Sequence, residues 1–128
     1  MTISKHLANY FENLEVLLKS YPSVVSYQLQ SQPRTLFDGY IRGEVVFTDG
    51  SRLHFRELVT VKPIVQRISY AYQYMRDDNS LLFRYDNADH FPNLENAPNH
   101  KHIGENEVIA ITNLPDLAMV LGEIHANL

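Results

Sequence analysis

The sequence contains no cysteine. That excludes disulfides, thiolate nucleophiles, cysteine-ligated zinc and iron–sulfur clusters, and it suits a reducing cytosol. Long apolar runs are missing too. The opening stretch MTISKHLANYFENLE is broken by charged and polar residues, so no secretion signal is expected. No segment approaches the roughly 20 apolar residues of a membrane span. Positive charge is in short supply: 11 Lys and Arg stand against 15 Asp and Glu, a formal net charge of −4. A general nucleic-acid coat protein should be basic, so that class is disfavoured. What remains is a chain of 128 residues with an ordinary hydrophobic share of 45%. This is the size and composition of a single cytoplasmic domain, residues 1–128, able to bury its own core.

The few positive charges are unevenly placed. Arg52, Arg56, Lys62, Arg67 and Arg76 fall between Ser51 and Arg76 with only Glu57 among them. From Asp86 onward, Asp86, Asp89, Glu95, Glu105, Glu107, Asp116 and Glu123 face only Lys101. A basic middle and an acidic tail fit a local anion-binding patch, or simply the solvated faces of strands and loops.

Apolar periodicity predicts an α+β fold. Ile3, Leu7, Tyr10, Phe11, Leu14, Leu17, Leu18 and Tyr21 recur at helical spacing, with Thr2 or Ser4 as cap and Pro22 as stop. Alternating runs follow at Val24–Gln30, Tyr40–Thr48, Ser51–Val61, Val65–Met75 and Leu81–Asp86. Asp49-Gly50 and Asp77–Ser80 mark tight turns, and Asp-Gly favours a two-residue loop with both positions at φ > 0. The expectation is an antiparallel β-meander of about five strands packed with an N-terminal and a C-terminal helix. Tyr70, Tyr72 and Tyr74 share one strand face and are expected to pack under a helix; stacking of bases is the competing use. After Asp86 the periodicity fails for about twenty residues, a length usually reserved for functional loops. Val108–Ile111 suits a short strand. A final helix is expected with Asn113 as cap, Pro115 in its first turn and Leu114, Leu117, Ala118, Leu121 and Ile124 inward.

The chemistry-bearing residues crowd that irregular stretch. His90, His100 and His102 lie within thirteen positions. His100 and His102 are two apart, so an extended backbone points both imidazoles to one side and Lys101 to the other. Three converging imidazoles suit general acid–base work near neutral pH. They equally suit zinc or another divalent metal with an open position. A third use needs no chemistry at all: the loop's polar groups serve only to hydrogen-bond it to the sheet. In the strand before the loop, Arg84 and Asp86 fall on one face. Arg84 offers a planar fork for a phosphate and Asp86 an orienting partner for a histidine; a plain salt bridge is the alternative.

The run Phe83-Arg84-Tyr85-Asp86-Asn87-Ala88, then His90, Pro92 and Pro98, closing with His100-Lys101-His102-Ile103-Gly104, resembles the signature of the TumE-type toxins of prokaryotic toxin–antitoxin systems. That family pattern is a strand ending in RYDNA, a turn with His and Pro, and a closing HKH(I/V)G. The Asp-Gly hairpin and the Tyr-x-Tyr strand upstream are similar as well, so the resemblance spans roughly residues 40–125 and is sharp over Arg84–Gly104. Family members tend to carry paired histidines in both halves of the loop; Asp89-His90-Phe91 and Asn99-His100 keep one each. The resemblance implies a cytosolic toxin neutralised by a cognate antitoxin protein. It carries over Asp86, His90, His100 and His102 as candidate catalytic residues, and Arg84, Asn87 and Lys101 as candidate phosphate-binding ones.

Three functions follow. The first is a metal-independent ribonuclease toxin, in which one histidine deprotonates a ribose hydroxyl, another protonates the leaving oxygen, and Arg84 or Lys101 steadies the phosphate. The second is a metal-dependent hydrolase using His90, His100 and His102. The third is a non-enzymatic module whose loop binds a partner protein, a reading the overall acidity favours. An exposed edge of the meander would also allow pairing into a homodimer.

Overall fold

The computed structural model describes residues 3–128. Helix α1, Lys5–Lys19, is capped by Ser4, whose hydroxyl accepts the Leu7 N–H; Thr2, the other candidate cap, lies outside the described residues. Seven strands follow: β1 Val24–Pro33, β2 Asp38–Phe47, β3 Arg52–Thr60, β4 Gln66–Met75, β5 Leu81–Asp86, β6 His100–Ile103 and β7 Glu107–Ala110. Helix α2, Leu117–Ala126, closes the chain. The strands form one sheet in sequence order, and every neighbouring pair is antiparallel. The α+β meander is as expected, with two strands more. The additions are β6, expected to be irregular, and β7 beside it, a short strand near the expected 108–111.

The turn chemistry explains the first hairpins. At Asp49-Gly50 only Gly50 takes a positive φ, +84°. Gly50 N–H bonds the Phe47 carbonyl and Phe47 N–H bonds that of Ser51. This is a longer loop with one left-handed residue, in place of the two-residue turn Asp-Gly suggests. Arg76–Ser80 repeats it with Asn79 at φ 72°. In both loops an aspartate, Asp49 or Asp78, accepts the N–H of the serine two residues on.

Both helices cover the same face of the sheet. Leu14 and Leu18 of α1 and Leu117, Val120, Leu121 and Ile124 of α2 enclose Phe47, Phe55, Tyr72, Tyr74, Phe83 and Tyr85 in one core. Tyr70, Tyr72 and Tyr74 are therefore packed under helices. Gly43 lies opposite Phe55, and a Cβ there would come within 2.3 Å of the ring, so the absence of a side chain makes room for it. Helix α2 starts later than expected. Its cap is Asp116, whose carboxylate accepts the Met119 N–H at 2.8 Å, and Leu114 and Ala118 are exposed. Asn113 lies ahead of the helix.

This face also buries Glu57, 1% exposed. Its carboxylate accepts hydrogen bonds from the Tyr10 and Tyr72 hydroxyls. Burial raises its pKa, and neither the tyrosine bonds nor the Arg67 charge overcomes that.

Candidate active site

The opposite face has no helix over it. The strand registers line its side chains into rows across the sheet. One row runs Gln28, Glu44, His54, Gln73, Arg84, His102 from β1 to β6; the next runs Gln30, Arg42, Arg56, Ala71, Asp86, His100. At the β1 end the rows border an open groove of about 440 Å³. At the β6 end the loop 87–99 folds over them.

Beneath that loop the two rows meet in a polar cluster. Asp86, 4% exposed, takes the Arg84 Nε–H on Oδ2 at 2.9 Å and the Ala88 N–H on Oδ1 at 3.0 Å. His100 Nε2 lies 3.1 Å from Asp86 Oδ1, and His102 Nε2 lies 3.5 Å from Oδ2. The two Nε2 atoms are 3.1 Å apart. His100 Nδ1 sits 2.8 Å from the Pro98 carbonyl. A carbonyl only accepts, so Nδ1 carries the proton and Nε2 turns inward. Arg84 is braced from behind by Gln73, whose side-chain oxygen accepts from it at 2.7 Å. Phe91, from the loop, packs edge-on against both imidazoles at 5.0 and 5.8 Å.

Charge within the cluster is finely set. Burial opposes ionisation of Asp86, but the hydrogen bonds from Arg84 and Ala88 and the charges of His100 and Arg84 outweigh it, holding the carboxyl below the usual range. Burial depresses the pKa of His102, and the charges of His100 and Arg84 add to that effect against Asp86. The neutral imidazole of His102 is thus favoured, and at one-quarter side-chain exposure it is the more accessible of the two imidazoles. His100 is fully enclosed.

The structure brings together four of the seven candidate residues: Arg84, Asp86, His100 and His102. The other three lie elsewhere. Lys101 points to the helix side, where its Nζ pairs with Glu123 at 2.9 Å and lies over the Phe83 and Tyr85 rings. Asn87 accepts the Tyr70 N–H and donates to the Ile68 carbonyl, pinning the loop to β4. His90 is exposed. Asn96 and Asn99 tie the rest of the loop down through the Ile111 carbonyl and the Tyr70 hydroxyl. Among the described residues, Asp86, His100 and His102 form a set able to hold a metal ion, one ligand atom from each and all within 4.8 Å; His90 is outside it. Gln73 and Phe91 join the cluster without any motif in the sequence that marks them. Gln73 was findable, since it alternates with the buried tyrosines and so faces the side of Arg84.

The fold and site define a small antiparallel α+β protein with an Asp–His–His–Arg cluster at one end of an open sheet face. Residues 13–128, nearly the whole chain, match the family described as Toxin TumE, and the chain belongs to the TumE toxin family. No curated protein and no solved structure matches it. Membership implies an antitoxin partner. Among the described residues no helix is long and apolar enough to cross a membrane.

Proposed function

We propose that this protein is the toxin component of a toxin–antitoxin system and cleaves RNA by metal-independent acid–base chemistry in the Asp86–His100–His102 cluster. The observation that carries the reading is the convergence of two imidazoles, one ionised carboxylate and one guanidinium at the end of an open sheet face. The inward Nε2 of His102 is held by His100 and Asp86, which leaves Nδ1 as the base. It takes the proton of a ribose 2′-hydroxyl, whose oxygen attacks the neighbouring phosphorus and displaces the 5′ oxygen. Asp86 stabilises the imidazolium that forms, His100 holds the ring in place through Nε2, and the proton is available to the departing oxygen. Arg84, about three-tenths exposed and already aligned by Gln73 and Asp86, faces the charge developing on the phosphoryl oxygens. The cognate antitoxin would neutralise the protein by denying RNA this face.

The test is cleavage of RNA by purified protein in EDTA. His100→Ala and His102→Ala should each slow it at least about tenfold; unchanged cleavage in both variants would refute the assignment. A second reading, a metal-dependent hydrolase, is favoured by the three donor atoms within 4.8 Å. Activity abolished by EDTA and restored by zinc or manganese would select it.

A further inference from the structure

The groove beside the cluster holds a feature that folding does not explain. Arg42 and Arg56 are direct cross-strand partners on the open face. Like charges placed opposite one another destabilise a sheet. Neither arginine makes an ion pair or a side-chain hydrogen bond among the described residues. The nearest acid in the groove, Glu44, has His54 3.9 Å away. A chain of net charge −4 therefore keeps two free, mutually repelling guanidinium groups side by side. The arrangement becomes favourable when an anion bridges them.

Their position relative to the cluster says which anion. Arg56, Ala71 and Asp86 are consecutive in one row. Arg56 is two inter-strand steps from Asp86, roughly 10 Å, and Arg42 one step further, roughly 14 Å. Between them Ala71 contributes only a methyl group, so the floor stays low and the groove runs on toward Arg84. A volume of about 440 Å³ accommodates a single strand's backbone with a base or two.

Resting on the reading of the cluster as an RNA-cleaving site, we infer that Arg42 and Arg56 form a phosphate subsite for single-stranded RNA lying across the strands, to one side of the scissile bond. Among the described residues the rings lining this groove are the buried Phe55 and the small imidazole of His54, so it holds no broad stacking platform. Contact is therefore mainly to phosphates, with amides such as Gln30 and Gln73 beside them, and sequence preference is weak.

The experiment uses a fluorescent octanucleotide of 2′-O-methyl RNA, which cannot be cleaved through its 2′ oxygen, and the full chain at several salt concentrations. The variant R42Q/R56Q should bind it at least about tenfold more weakly, with the slope of log K against log salt shallower by about 0.7, the contribution of the one single-strand phosphate that the pair bridges. Lys19→Gln, on the helix side, should change neither quantity. Removing the repelling pair should leave the unfolding temperature of R42Q/R56Q at or above that of the parent. With cleavable RNA, KM should rise for an octanucleotide and stay constant for a dinucleotide, with kcat unchanged. Failure of the parent protein to bind the strand, or equal binding and slope in R42Q/R56Q, overturns the subsite. Arginine-dependent binding without any cleavage would uphold the subsite and remove the catalytic reading instead.

Discussion

The two faces of the sheet each bury one carboxylate, and the two behave oppositely. Glu57, on the helix side, is enclosed by the hydroxyls of Tyr10 and Tyr72, and burial prevails: its pKa is raised. Asp86, on the open side, is as deeply enclosed, but Arg84, the Ala88 N–H and His100 prevail over burial and its pKa is lowered. Burial alone therefore does not decide how a carboxylate titrates. What separates the two is the company: neutral donors that knit a core, or a guanidinium and two imidazoles with a route to solvent through His102 and Arg84.

The widest difference between the faces should appear in rate. Asp86→Asn, which keeps the shape and removes the charge, should lower RNA cleavage by about 10²-fold or more, while Glu57→Gln should leave it within about twofold of the parent. Stability should show the reverse. Glu57→Leu strands two buried tyrosine hydroxyls and removes a negative charge near Arg67, so denaturant unfolding should report a loss of about 3 kcal/mol. Glu57→Gln, able to satisfy both hydroxyls, should cost less than about 1 kcal/mol.

The pH dependences should have opposite signs. The raised pKa of Glu57 means the folded state holds that proton more tightly, so its contribution is most favourable below the ordinary 4.5 and is lost as pH rises through the folded value. Glu57→Gln should flatten that fall in unfolding free energy. The lowered pKa of Asp86 gives stability present above 3.8 and lost as pH falls through the folded value, and Asp86→Asn should flatten the acid limb. Cleavage should rise with pH through an apparent pKa below that of an ordinary imidazole, the titration of His102 into its neutral form. A profile midpoint above the ordinary value would speak against His102 as the base. The smallest effect belongs to Lys101. Lys101→Met breaks a partly exposed pair with Glu123 and the cation contacts with the Phe83 and Tyr85 rings on the helix side, and should cost about 1 kcal/mol and leave cleavage unchanged.

Much of this contrast could be read in the chain before folding. The alternation of Tyr70, Tyr72 and Tyr74, the common side of Arg84 and Asp86, and the common side of His100 and His102 are all consequences of the two-residue period of a strand. The same period turned Lys101 away. Strand β6 was not legible, because His-Lys-His-Ile has no apolar alternation. It is a strand because β5 and β7 offer backbone partners on both sides. The groove was hidden for a related reason: Arg42 and Arg56 are fourteen positions apart in sequence and become neighbours only through the register of the β2–β3 hairpin. His90 has no such constraint, and nothing in its spacing foretold that it would be left exposed on the loop.

Growth arrest on expression in a bacterial host tests the central claim most directly. The parent, Glu57→Gln and Asp86→Asn are compared at matched levels of soluble protein, without antitoxin. The account predicts that the parent and Glu57→Gln arrest growth and that cells making Asp86→Asn grow as uninduced cells do. Arrest by Asp86→Asn equal to that of the parent would contradict it.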